Sequence, residues 1–115
     1  HDALPISANL IVSDRLTGED GESHDYVLYW HIAAGKTVTE TVPSSYLFRA
    51  AEPGPIMELT EQASSSLQCE VITGSTAPYQ GWHFPAFLER VPAPVIACRQ
   101  RGRDADFETT IILRP

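Results

Sequence analysis

Short runs of alternating apolar and polar residues, separated by turn-forming residues, constrain the fold of this chain more than any other feature. Such runs recur from position 10 to position 113 at roughly ten-residue spacing, and alternation with period two is typical of β-strands. Segments 58–66 and 84–90 lack apolar residues at helical spacing, and Pro85 interrupts the second. The sequence therefore predicts an all-β fold, an antiparallel β-sandwich of about seven or eight strands.

Three of the predicted strands have distinct positions in this fold. Segment 24–33 carries large apolar or aromatic residues on both faces, which predicts a central strand packed on both sides. Segment 36–42 alternates β-branched and polar residues and predicts a half-exposed strand. We expect strands 95–101 and 107–113 to form a hairpin around the turn at 102–105. The inward face of the last strand is predicted to carry Phe107, Thr109, Ile111 and Leu113.

Length, charge and hydropathy argue against several kinds of protein. A chain of 115 residues has room for one domain. Eight Lys and Arg residues against fifteen Asp and Glu residues leave a net charge of −7, which disfavours a protein that tracks nucleic-acid phosphates. Because no apolar run reaches the roughly 18 residues of a membrane-crossing helix, we expect no membrane span.

The two cysteines, Cys69 and Cys98, are too few for a disulfide scaffold. Each shares a predicted strand face with apolar residues, which indicates buried and unreactive thiols. A disulfide between them requires that the two strands be neighbours, and the spacing leaves this pairing open.

The first residues of the chain are interpreted separately from the domain. Segment 1–6 lacks the charged-then-apolar layout of a signal peptide. The codons CAC GAC GCT CTT CCG ATC, which encode it, read as the end of a widely used sequencing adapter. We therefore expect residues 1–7 to be an adapter scar or a disordered end, and the domain to span 8–115. An intact genomic locus that encodes the hexapeptide would contradict this prediction.

A carboxylate and an imidazole form the first candidate site for chemistry. If strands 10–16 and 24–33 pair as a hairpin, Asp14 and His24 lie at neighbouring positions and form part of a Zn²⁺ or Mn²⁺ site. A third ligand is needed, and His31 faces the opposite side of the strand from His24. From the residues alone we favour the alternative that Asp14 bonds within the turn and His24 is an ordinary strand residue.

Other catalytic patterns are weak or missing. Glu19, Asp20 and Glu22 crowd one loop that could seat calcium, but they lack regular ligand spacing, so a solvated acidic turn is favoured. The chain has no Gly-x-Ser-x-Gly nucleophile motif and no glycine-rich phosphate loop.

The loop at 79–87 is rich in aromatic residues. Aromatic faces stack on sugar rings, so Tyr79, Trp82 and Phe84 could form a carbohydrate-binding surface. The alternative, which the residues alone favour, is that these rings close one end of the sandwich or pack on a neighbouring domain.

A series of short motifs runs through the chain in a fixed order. The motifs are Val12-Ser13-Asp14-Arg15-Leu16, His24-Asp25-Tyr26, Trp30-His31, Gly81-Trp82, Pro85, Pro92-Ala93-Pro94, and Phe107-Glu108-Thr109-Thr110-Ile111-Ile112-Leu113 with Pro115. In this order and spacing they resemble the heparinase II/III-like C-terminal domain of polysaccharide lyases, and the resemblance covers nearly all of the chain from Leu10 onward.

The resemblance implies a larger parent enzyme. Members of the family cleave uronic-acid polysaccharides by β-elimination, with an N-terminal α/α-toroid that carries a Tyr/His pair, so the catalytic residues would lie upstream and this fragment alone would be inactive. It also implies export to the periplasm or secretion, and a structural metal ion to which Asp14 and His24 contribute in the parent. Two other classes stay open, a free-standing carbohydrate-binding module and a structural sandwich without a ligand.

Overall fold

The computed structural model describes residues 8–50 and 56–114, and the side chains of residues 9–47 and 56–113. Within these residues the chain forms strands, turns and bends, and no helix. It follows that this part of the chain contains no helix long and apolar enough to cross a membrane. Segment 1–7, interpreted above as an adapter scar, lies outside the described residues.

Twelve strands form in the described residues, of which eight have six or more residues and four have two. The strands are β1 (Ala8–Thr17), β2 (His24–His31), β3 (Lys36–Val42), β4 (Ser45–Ala50), β5 (Ile56–Ala63), β6 (Leu67–Ile72), β7 (Ser75–Thr76), β8 (Tyr79–Gln80), β9 (Trp82–His83), β10 (Val91–Pro92), β11 (Val95–Gly102) and β12 (Asp104–Arg114). Strands of two residues leave almost no periodic signal, which is why the alternation pattern predicts about eight strands.

All strand pairs in the described residues are antiparallel. Six of these pairs build two larger sheets. One sheet has five strands in the order β1-β12-β5-β4-β3, and the other has three strands in the order β2-β11-β6. Two small ribbons, β7-β8 and β9-β10, complete the described strands. The predicted all-β, antiparallel class is confirmed.

Side chains from both larger sheets share one apolar core. The five-stranded sheet contributes Tyr46, Leu59 and Phe107, and the three-stranded sheet contributes Ile96 and Cys98, all at most 1 % exposed. Burial of large apolar side chains is the main stabilising contribution in a domain of this size. The two sheets therefore depend on each other for stability.

The position predicted for strand β2 is wrong. It forms an edge of the three-stranded sheet, whose central strand is β11. Trp30 on one face of β2 packs against the core, whereas Tyr29 on the other face is 41 % exposed. Large aromatic residues therefore occur here on a partly solvated face, and composition alone does not distinguish this from burial on both sides.

The predicted hairpin at the C-terminal end is also wrong. Strand β11 pairs with β2 and β6, whereas β12 pairs with β1 and β5, so the chain passes from one sheet to the other at Arg103. A polar turn that contains glycine, such as 102–105, is compatible with a crossing between sheets as well as with a hairpin, so the local sequence does not distinguish them. On β12, Phe107 and Thr109 are buried as predicted, while Leu113 is 38 % exposed.

Contacts from the β1–β2 loop and from strand β2 hold this crossing in place. Gly18 donates its backbone N–H to the Arg103 carbonyl and to Asp104 Oδ1, each at 3.2 Å. The Tyr26 hydroxyl donates to the same Arg103 carbonyl at 2.7 Å. A Cβ atom at position 18 would lie 2.5 Å from that carbonyl oxygen, so glycine allows the close approach.

A disulfide joins Cys69 to Cys98. The two cysteines are directly opposite each other on β6 and β11, with 4.0 Å between their Cα atoms. The interpretation of the two residues as thiols is therefore wrong, because strand pairing that the spacing left open brings them together.

Candidate functional site

The segment between β6 and β11 positions the aromatic residues singled out in the sequence. The Gly81 carbonyl accepts backbone hydrogen bonds from Gly74 at 2.8 Å and from Ala93 at 2.9 Å. Gly81 has a φ of +83°, and a Cβ atom there would lie 2.7 Å from the Ile72 carbonyl oxygen. Only glycine fits this position without strain, and it sets Trp82 at the start of the β9-β10 ribbon.

Tyr79, Trp82 and Arg90 form a contact group that we call the aromatic–arginine cluster. The two rings stack with 6.1 Å between centroids and 24° between planes. The Arg90 guanidinium carbon lies 4.1 Å from the Trp82 ring centroid and 5.6 Å from that of Tyr79. Arg90 Nη1 also donates to the Tyr79 hydroxyl at 3.0 Å, and Trp82 Nε1 donates to the Ser75 carbonyl at 2.8 Å.

The cluster combines exposed aromatic surface with an available positive charge. Tyr79 is 57 % exposed, Arg90 is exposed and Trp82 is half-buried. Among the described residues, no carboxylate forms an ion pair with Arg90. A stacked guanidinium keeps donors free for an anionic group, and its planar fork matches a carboxylate.

Phe84, the third predicted residue of this surface, is 57 % exposed, and none of the ring contacts in the described residues involves it. It lies in the same loop as Phe87 and Leu88, which are each 90 % exposed. The structure therefore brings Tyr79 and Trp82 together and leaves Phe84 outside their stack. The exposure of Tyr79 and Phe84 also means that these two rings do not close the end of the fold in the part of the chain that the structure describes.

Arg90 is the residue that sequence reasoning missed. It is eleven positions after Tyr79, and no periodic pattern relates the two across the irregular loop at 84–90. Pairing of Val91 with His83 returns the chain to the ribbon and places Arg90 beside the rings. A cation immediately before a short apolar segment is the only signal, and it is too common to be informative.

The predicted metal ligands lie in different sheets. Asp14 is opposite Phe107 on β12, and His24 is opposite Gly102 on β11, so the hairpin that would bring them together does not form. His24 Nε2 instead lies 2.8 Å from both carboxylate oxygens of Asp20. In the part of the chain that the structure describes, no group of three or more His, Cys, Asp or Glu residues could hold a metal ion.

The acidic loop before β2 is tied by local bonds. Asp20 interacts with His24 and accepts the Glu22 backbone N–H at 3.0 Å. These hydrogen bonds, the one to His24 first, lower the pKa of the Asp20 carboxyl below its usual range. The Asp20 carboxylate is therefore bonded within its own loop, as expected for a solvated acidic turn.

A buried carboxyl group that the sequence did not single out lies in the core. Glu61 is 3 % exposed, and its Oε2 accepts a 2.6 Å hydrogen bond from the Thr109 hydroxyl. Burial raises the pKa of Glu61 to about 7, and the nearby charge of Asp14 acts in the same direction. The other oxygen of Glu61 and the Trp30 indole N–H are both buried, and among the described residues neither forms a hydrogen bond of full geometry. The Trp30 N–H nevertheless lies close enough to Glu61 to oppose part of the rise in its pKa.

Comparison of the chain with protein-family models, with curated proteins and with solved structures finds no match.

The conformation at Gly81 leads to a first prediction. We expect Gly81→Ala to lower the free energy of unfolding by about 1–3 kcal/mol, because an L-residue at positive φ is strained and its Cβ overlaps backbone. Denaturant unfolding followed by tryptophan fluorescence measures this loss. Gly35→Ala is the matched control, since Gly35 has a φ of +84° but open space around its Cβ position. Equal losses in the two variants would contradict the argument from close contact.

Proposed function

We propose that this chain binds an acidic polysaccharide through the aromatic–arginine cluster, as the non-catalytic C-terminal β-sandwich of a polysaccharide lyase similar to the heparinase II/III family. The observation that carries the proposal is the stacked pair Tyr79 and Trp82 with the Arg90 guanidinium beside it, which pairs with no carboxylate in the part of the chain that the structure describes. Aromatic rings bind the apolar faces of sugars, and a guanidinium binds a carboxylate. A sugar that carries a carboxylate, such as a uronate, fits both.

The proposed sandwich consists of the five-stranded and three-stranded sheets packed face to face. It is supported by the core cluster, which takes Tyr46 and Phe107 from one sheet and Ile96 from the other. In such an arrangement the loops between strands collect at the ends of the sandwich, where binding residues commonly lie.

The net charge of −7 opposes a polyanion over the surface as a whole. Attraction of the ligand's charge is therefore expected at the cluster, where Arg90 has no carboxylate partner among the described residues, and it weakens as salt screens the guanidinium. Phe84 remains a proposed outer contact, because its exposed ring lies two residues after Trp82.

The parent enzyme is proposed from the order of the motifs. In that parent an upstream α/α-toroid supplies the catalytic Tyr/His pair for β-elimination. A metal site shared by Asp14 and His24 is not part of the proposal, because the two residues lie in different sheets and His24 is bonded to Asp20. The Cys69–Cys98 disulfide supports a periplasmic or secreted location, since such bonds persist in oxidising compartments.

A free-standing carbohydrate-binding module is the second candidate, and the cluster favours it because all three side chains come from this chain. The upstream reading frame separates the two candidates. A helical toroid with a Tyr/His pair supports the lyase, and its absence supports the module.

The binding proposal predicts a loss in the Trp82→Ala variant. Titration of the chain with uronate oligosaccharides is expected to show affinity about tenfold lower than for the unsubstituted chain, which corresponds to about 1.4 kcal/mol. Arg90→Gln is expected to weaken uronate binding more than binding of a neutral oligosaccharide, because only the acidic ligand uses the charge.

Phe87→Ala is the matched control, since Phe87 is in the same loop and is 90 % exposed. It should bind as the unsubstituted chain does. Unchanged uronate affinity in Trp82→Ala would refute the proposed site.

A further inference from the structure

A groove of 500 Å³ lies next to the aromatic–arginine cluster and shares Trp82 with it. It runs between the end of β2, the ribbon strand β9 and the start of β11. The lining residues used below are His31, Ala34, Trp82, His83, Ala93 and Pro94. A groove of this size falls within the usual range of small-ligand sites.

Backbone hydrogen bonds hold both walls of the groove. Ile32 donates its N–H to the Pro94 carbonyl at 2.8 Å, and Ala93 donates to the Gly81 carbonyl at 2.9 Å. Ile32, Ala93 and Pro94 are buried. The groove is therefore preformed, so a ligand entering it does not have to order the chain.

The groove presents hydrogen-bonding groups beside apolar surface. The side chains of His31 and His83 are both exposed and line it, and imidazole nitrogens can donate or accept hydrogen bonds with sugar hydroxyls. Ala34 and Ala93 contribute small apolar side chains to the lining. Trp82 belongs to the cluster and also lines the groove, so the two sites adjoin at this residue.

We propose that this groove is a second sugar subsite, which binds the ring adjacent to the one held at the aromatic–arginine cluster. The inference rests on the proposed function and extends it, because recognition then requires at least two linked sugar units. His31 and His83 contact hydroxyl groups of the second ring, and Trp82 lies between the two subsites.

The test is a titration of the chain with a uronate monosaccharide, disaccharide and tetrasaccharide. The unsubstituted chain is expected to bind the disaccharide about tenfold more tightly than the monosaccharide. Ala34→Trp fills the groove, and we expect it to abolish this gain while monosaccharide affinity stays unchanged. Ala86→Trp is the matched control, because Ala86 is exposed in the 84–90 loop and does not line the groove.

A second variant guards against a folding defect at the Ala34 turn. His83→Ala removes an exposed side chain, and it should reduce the disaccharide gain without changing monosaccharide binding. Equal gains in the unsubstituted chain, Ala34→Trp and His83→Ala, or no gain with length, would overturn the second subsite alone. Absence of any Trp82-dependent binding would overturn the proposed function and this inference together.

Discussion

Removal of the Cys69–Cys98 disulfide is expected to lower the free energy of unfolding by about 3–4 kcal/mol. The bond closes a loop with a sequence separation of 29, and a cross-link of that length restricts the unfolded chain by roughly this amount. The bond joins the central strand β11 to its neighbour β6, and both cysteines contact the apolar core. Its loss therefore loosens strands that build the core. The Cys69→Ala/Cys98→Ala double variant should unfold at a Tm lower by roughly 10–15 °C.

Reduction of the unsubstituted protein with a dithiol provides the control for this comparison. Reduced protein should lose stability in the same direction, and the same reductant should leave the double variant unchanged. A double variant as stable as the oxidised protein would show that packing of β6 on β11, and not the covalent bond, holds these strands.

Stability is expected to fall as pH rises from 4.5 to 7, by about 3 kcal/mol, because of Glu61. The pKa of this carboxyl is about 7 in the folded protein against an ordinary value of 4.5, so the folded state favours the protonated form. Below pH 4.5 both states are protonated and the penalty is absent. Between pH 4.5 and pH 7 the folded state binds more protons than the unfolded state, so stability falls. Above pH 7 the full free-energy cost of holding the ionised Glu61 carboxylate in the core applies.

Denaturant unfolding at several pH values measures this slope. Glu61→Gln keeps a hydrogen-bond acceptor for Thr109 and cannot ionise, so the slope between pH 4.5 and 7 should largely disappear. Glu108→Gln is the control, because Glu108 lies next to Thr109 on β12 but is exposed, and it should retain the slope. The carboxyls of exposed Asp20 and half-buried Asp106, whose pKa values are lowered from 3.8, act below this pH range. An unchanged slope in Glu61→Gln would contradict the assignment.

The buried position of Glu61 illustrates why part of the site was not predictable. Glu61 stands between Thr60 and Gln62 in the sequence, and a glutamate among polar residues is ordinarily solvated. Register decides otherwise, because Glu61 is opposite Thr109 on the inner face of β12. The Arg90 contact is similar, since it depends on how an irregular loop returns to the β9-β10 ribbon and not on local periodicity.

The residues of the aromatic loop show the opposite case. Trp82 stood out from the sequence as one of the large rings of this loop, and Gly81-Trp82 as one motif of the family resemblance. A glycine suits the positive φ at position 81, whereas its hydrogen bonds to Gly74 and Ala93 depend on how the segments meet. What the loop pattern left open was which rings would touch, and the structure stacks Tyr79 on Trp82 while Phe84 stays apart.

The amino-acid sequence by itself determined the all-β class, the half-exposed strand β3 and most of the inward face of β12, because period-two alternation and turn residues act over a few neighbouring positions. Only the tertiary structure decided which strands pair, which strand is central and which cysteines, rings and charges meet. Those outcomes depend on contacts between distant segments, as in the pairing of β6 with β11 that forms the disulfide. Local patterns carry no information about such partners, and packing of the two sheets around one core selects them.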